Sequence, residues 1–172
     1  MHTPREIVEG ADYHVVAKVN RDEYIFEDDK IKDMFLSVVA RAKKKYLFEM
    51  IYFTIMGNHV HMILTPSKKA GLSKVMQWIL SVFAQKYNRH KEIRGHLFHD
   101  RFWSKPIHNF KQFMQTFWYV ANNPVKQGMV TRAIDYVYGG LWHLAHNCFF
   151  FIDKPKKDTQ LTLDAESLFT QA

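Results

Sequence analysis

Residues 12–20 (DYHVVAKVN) alternate between apolar and polar positions closely enough to predict a strand. Residues 27–46 change period: Ile31, Phe35, Val38 and Ala42 fall on one helical face, with Asp28 or Asp29 as the cap. The run 46–55 (YLFEMIYFTI) is aromatic and β-branched and predicts a strand, and MGNH at 56–59 supplies turn residues. HVHMILT at 59–65 then reads as the hairpin partner of that strand. Over 70–90 the stripe Leu72, Val75, Met76, Ile79, Phe83 and Tyr87 predicts a long helix, with Lys74, Gln77, Ser81, Lys86 and Arg89 on its other side. A loop from 94 leads to a short strand near 102–107. Residues 109–123 predict a helix with Phe110, Phe113, Met114, Phe117 and Ala121 inward, stopped by Pro124 because a residue before proline is pushed out of the helical region.

The order β-α-β-β-α-β followed by a helix predicts an α+β fold of the ferredoxin-like or RRM-like type. It would be an antiparallel sheet with helices on one face, plus the helix that carries Tyr119. Residues 1–147 are expected to form one domain. Residues 148–172, with the polar run DKPKKDTQ, are expected to be a tail with at most one short helix.

Composition narrows the function classes. The chain has 172 residues, 47% of them hydrophobic, enough for a packed core. No apolar run reaches the roughly 18 residues of a membrane span, so no membrane partner is expected. The first residues lack the basic start and apolar stretch of a secretory signal. The single cysteine, Cys148, permits no intrachain disulfide and suits a reducing cytoplasm. A net charge of +7 fits a polyanionic partner, nucleic acid above all.

His59 and His61 lie in an otherwise apolar strand. Strand side chains alternate, so both imidazoles face one side and Val60 faces the other, with their Cα atoms about 7 Å apart. Two neutral imidazoles at that spacing can share a metal ion, and they can equally be structural histidines at a sheet edge. As ligands they are an incomplete set. Gln112, Gln115, Tyr119 and Asn123 run along one edge of the last helix, off its apolar stripe. Asn123 offers an amide oxygen to a hard cation, and Tyr119 beside such an ion is a candidate nucleophile. A half-buried packing tyrosine and a turn-capping asparagine account for the same residues. His96 with His99, and His143 with His146 near Cys148, make no complete zinc pattern. No Walker motif appears, so no nucleotide cofactor is expected.

Taken together these segments resemble the single-tyrosine HUH transposases, and most closely the REP-associated tyrosine transposases. HUH denotes His, a bulky hydrophobic residue and His, here His59-Val60-His61 within NHVHMIL. Residues 13–26 (YHVVAKVNRDEYIF) are similar to the family's opening strand and loop, and 72–90 to its long middle helix. Residues 95–107 (GHLFHDRFWSKPI) are similar to its Gly-x-x-aromatic-x-x-Arg-aromatic segment. Residues 119–130 (YVANNPVKQGMV) resemble its tyrosine-bearing helix end. The family commonly has proline where this chain has Gly57, and the usual Arg-Ala-Gly-Leu-Val after Asn-Pro-Val is KQGMV here.

The resemblance implies a DNA transposase that cuts and rejoins single-stranded DNA near hairpins. His59, His61 and Asn123 would hold Mg²⁺ or Mn²⁺, and Tyr119 would form a 5′-phosphotyrosine. Adjacent Asn122 is a competing third ligand. Cations and aromatics suited to phosphates and bases cluster at Arg89, Arg94, Arg101, Trp103 and Lys105, with one of Phe102 and Trp103 expected in the core. The alternative within the same fold is a hairpin-binding protein that no longer cuts. An RNA-binding module ranks lower, because the RNP signature is missing. A homodimer is expected from the high apolar content.

Overall fold

The computed structural model describes residues 6–98 and 101–155. His99, and the tail expected beyond 155, lie outside the described residues. The strands are β1 (Asp12–Lys18), β2 (Glu49–Ile55), β3 (His59–Thr65) and β4 (Trp103–Ile107). The main helices are α1 (Asp29–Tyr46), α2 (Leu72–Lys91) and α3 (Phe110–Ala121). Two short ones follow, α4 (Asn123–Lys126) and α5 (Gly140–Ala145). The sheet order is β2-β3-β1-β4 and every pairing is antiparallel. This is the ferredoxin-like arrangement expected from the element order.

The strand period of two divides the sheet into unlike faces. Val15, Ala17, Met50, Ile55, Val60, Met62 and Leu64 pack with the stripes of α1 and α2 in one continuous core. Within it Phe83 meets Phe26 and Phe35 with ring centroids 5.5 and 5.2 Å apart. On the opposite face Tyr52, Ile63 and Ile107 pack with Phe113, Phe117 and Val120 of α3. A bulge between Met50 and Tyr52 adjusts β2 to both layers.

Local chemistry explains the element ends. Asp28 caps α1 by accepting from the Lys30 amide at 2.9 Å. Asn109 caps α3 by accepting from the Gln112 amide, while Gln112 reaches back to accept from the His108 amide, both at 2.9 Å. Pro124 does more than end a helix. The chain turns at Asn122 and starts α4, where a proline needs no amide partner in the first turn. Phe110 stands exposed and Val120 is fully buried, so the inward stripe of α3 is rotated toward its C-terminal end.

Beyond residue 147 the chain packs against the body. Ile152 is fully buried, and the Asp153 carboxylate accepts from the Met50 amide and from Lys43 Nζ, both at 2.7 Å. This clamp closes the end of β2 away from the histidine pair.

Candidate active site

β3 presents His59 and His61 on the face that carries α3, and β1 lies beside it with Lys18 opposite His59 and Val16 opposite His61. His14, two residues before Val16, joins them from the same face. His59 Nε2 lies 3.1 Å from His61 Nε2, and His14 Nε2 lies 3.0 Å from His61 Nδ1. On its other side His59 Nδ1 meets Asn58 Oδ1 at 2.7 Å. Carboxamide oxygen only accepts, so His59 carries its proton on Nδ1 and leaves Nε2 as a lone pair facing His61.

Burial keeps this cluster uncharged. It pushes His14 down to about 4. Burial, with His59 and His14 nearby, pushes His61 down to about 3. His59 is lowered by burial and then by the Lys18 cation. All three are therefore neutral near pH 7, the form that ligates metal.

α3 brings Tyr119 to the same place. Phe117 packs on Tyr52 at 4.6 Å and Thr54 Oγ1 donates to the Val120 carbonyl at 3.2 Å, fixing the helix on the sheet. Between these anchors Tyr119 points outward, 49% exposed. Its ring centroid lies 5.9 Å from that of His61 and 6.0 Å from that of His14. Lys126 Nζ stands 5.4 Å from the same ring. Asn123, one turn on, donates from Nδ2 to the Tyr119 carbonyl at 2.9 Å, which leaves its Oδ1 as the free acceptor.

His59, His61, Tyr119, Asn123 and Trp103 all line one open cleft of about 750 Å³. Of the expected DNA contacts, only Trp103 lines it. Lys105 is exposed farther along β4, in register with His14. Arg89 is exposed at the end of α2. Arg94 lines a separate hollow with Asn20, Arg21 and Asn88, and Arg101 lines another against α2. Phe102 is the core residue of its pair and Trp103 the exposed one.

Residues with no role expected from the sequence join the site: Lys18, Tyr24, Glu27 and Gln127 line the cleft, and His14 contacts three of its lining residues, His61, Trp103 and Tyr119. A signal for His14 existed. Ferredoxin-like order makes β1 and β3 neighbours, so alternate β1 residues share a face with His59 and His61.

The donor set fits a divalent ion. Two nitrogens about 2.1 Å from a shared ion, at right angles, are about 3.0 Å apart, and the two Nε2 atoms are separated by 3.1 Å. Among the described residues no three His, Cys, Asp or Glu side chains converge as a metal cluster. The remaining protein donor would then be an amide oxygen, and Asn123 and Gln127 line that side of the cleft.

The family model described as "Transposase IS200 like" matches residues 7–123. A solved REP-associated tyrosine transposase bound to a REP hairpin is 19% identical, with a TM-score of 0.74 over 91% of this chain and 92% of that one. At that identity the likeness is one of fold. A structure from Deinococcus radiodurans, assigned as a transposase, is 15% identical with a TM-score of 0.47 over 71% of this chain and 97% of that one, too loose to carry an argument. No curated protein matches. Among the described residues no helix is long and apolar enough to cross a membrane.

Proposed function

The chain belongs to the IS200-like transposase family, and from that premise we propose that it cuts and rejoins single-stranded DNA beside hairpins, with Tyr119 as the nucleophile. The observation that carries the reading is the convergence of Tyr119 with two neutral, mutually facing imidazoles, 5.9 Å between the Tyr119 and His61 ring centroids. The hairpin as partner is suggested by the likeness in fold to a protein solved with one.

Tyr119 Oη attacks the phosphorus and gives its proton to solvent in the open cleft. The bond from phosphorus to the 3′ oxygen breaks, and that oxygen leaves as a 3′-hydroxyl. The 5′ phosphate stays on Tyr119 as a diester, so the bond energy is kept and a second 3′-hydroxyl can reverse the step on another end. No nucleotide cofactor is required. The packing of Phe117 and Val120 holds Tyr119 at the cleft, and the Asn123 amide bond to its carbonyl stiffens that turn. Mg²⁺ or Mn²⁺, held by His59 Nε2, His61 Nε2 and the Asn123 amide oxygen, would neutralise charge on a nonbridging phosphate oxygen. Tyr119 stands beside its own chain's histidines, which supports a site whose nucleophile and histidines come from one chain.

The test is a denaturing gel after incubating hairpin DNA bearing single-stranded flanks with Mn²⁺. A covalent protein–DNA band in the wild type, lost in Tyr119→Phe and in His61→Ala, is the expected result. DNA bound at micromolar protein with no covalent band in the wild type would favour the binding-only alternative.

A further inference from the structure

Tyr24 is an exposed aromatic residue on a fixed backbone. Its neighbours Ile25 and Phe26 are buried in the core, and the Phe26 amide donates to the Gly57 carbonyl at 2.9 Å. The Tyr24 side chain nonetheless remains 62% exposed. Its ring lies directly on the β2–β3 turn: a Cβ added at Gly57 would meet Tyr24 Cδ1 at 2.6 Å. Gly57 is therefore the residue that lets this ring lie at the rim of the cleft. A single exposed tyrosine needs no explanation, but Tyr24 has a counterpart. Trp103, 52% exposed, stands edge-on to His14 with ring centroids 5.3 Å apart and lines the same cleft.

The two rings flank the histidines. Tyr24 sits over the turn that opens β3, whereas Trp103 is on β4, on the far side of β1 from β3. Two strand spacings separate β3 from β4, about 10 Å. That leaves room for a phosphate at the histidines and a nucleobase toward each side. Aromatic faces bind unpaired bases without regard to sequence.

We propose that Tyr24 and Trp103 are stacking platforms for the nucleobases on either side of the phosphate that Tyr119 attacks, with Gly57 making the space for the Tyr24 ring. The inference rests on the reading that single-stranded DNA is cut in this cleft. Both are positioning residues: they orient the strand and take no part in bond making.

The experiment uses the full chain carrying Tyr119→Phe, which cannot form an adduct. The probe is a DNA stem-loop with oligo-dT flanks that carry one 2-aminopurine, moved one position at a time. Stacking quenches its fluorescence. The expected result is quenching at neighbouring positions in the parent. Adding Tyr24→Ala abolishes it at one position, and Trp103→Ala abolishes it at another. Tyr24→Phe retains the quenching, and Gly57→Ala reduces it at the Tyr24 position. Affinity for the flank falls about 5- to 100-fold in each alanine variant. Unchanged quenching in Tyr24→Ala, or no quenching at any position in the parent, overturns the proposal. The covalent-band assay on the otherwise wild-type chain separates the two ideas. A band with unchanged quenching removes the platforms and keeps the chemistry. Quenching that depends on Tyr24, with no band, does the reverse.

Discussion

The two faces of the sheet are made by the same strands and differ in almost everything else. On β3, Val60, Met62 and Leu64 face α1 and α2 in an unbroken apolar layer, while the residues that alternate with them, His59, His61 and Ile63, face the other way. The first face is covered along its length. The second is apolar only where Tyr52, Ile63 and Ile107 meet α3, and then opens into the histidine cleft. The contrast teaches that a one-residue offset along a strand separates the groups that fill the core from those that line the cleft. Lost side chains should then have different consequences on the two sides.

The largest effect is expected at Tyr119. Tyr119→Phe should remove the covalent product, more than a thousandfold, and leave the thermal midpoint unchanged, since the side chain is half exposed. Phe83→Ala on the covered face should do the opposite. The ring is fully buried against Phe26 and Phe35, so its loss should cost about 3–5 kcal/mol in urea unfolding. Under conditions where the variant remains folded, its rate should be close to wild type. Equal loss of stability in the two variants would dissolve the distinction between the faces.

His14→Phe tests the histidine face alone. His14 holds His61 Nδ1 at 3.0 Å; with His61 as a ligand of the proposed ion, such a partner would contribute about 10–100-fold in metal affinity or activity. The concentration of Mn²⁺ giving half-maximal cleavage should rise by that factor.

A smaller effect is expected from pH. His14 and His61 are pushed down to about 4 and about 3 from an ordinary value near 6.5. Between these values the unfolded chain binds more protons than the folded one, so stability rises with pH. The contribution is fully present above about pH 6.5 and is lost as pH falls through the folded values. Moving from pH 7 to pH 5 should lower unfolding free energy by about 1–2 kcal/mol through His14 alone. A urea midpoint constant over that range would contradict the buried neutral cluster. The smallest effect is expected at Lys105, exposed beyond the cleft: Lys105→Gln should weaken DNA binding a few-fold and reduce the salt slope by about one.

Much of this architecture was legible because it follows from periodicity. β3 runs over the expected 59–65, and the stripe of α2 is buried residue for residue. His59 and His61 could be set on one face by parity alone. Tyr119 and Asn123 could be joined by helical spacing. What sequence could not give was set by pairing between distant segments. His14 reaches His61 only because β1 lies next to β3. Tyr24 reaches the cleft because a glycine turn from elsewhere leaves room for its ring. Pro124 read as a stop, and becomes the start of α4, because a proline is as well suited to a first helical turn as to ending the one before. Arg94 and Arg101, neighbours of Trp103 in sequence, are carried to separate hollows by the loop between α2 and β4.

The proposed chemistry stands or falls on Tyr119 carrying the DNA. The most direct measurement is mass spectrometry of the protein after reaction with hairpin DNA and Mn²⁺, followed by nuclease and protease digestion. A peptide containing Tyr119 with a nucleotide attached through the phenolic oxygen is expected. A nucleotide on any other residue, or cleaved DNA with no modified peptide, would contradict it.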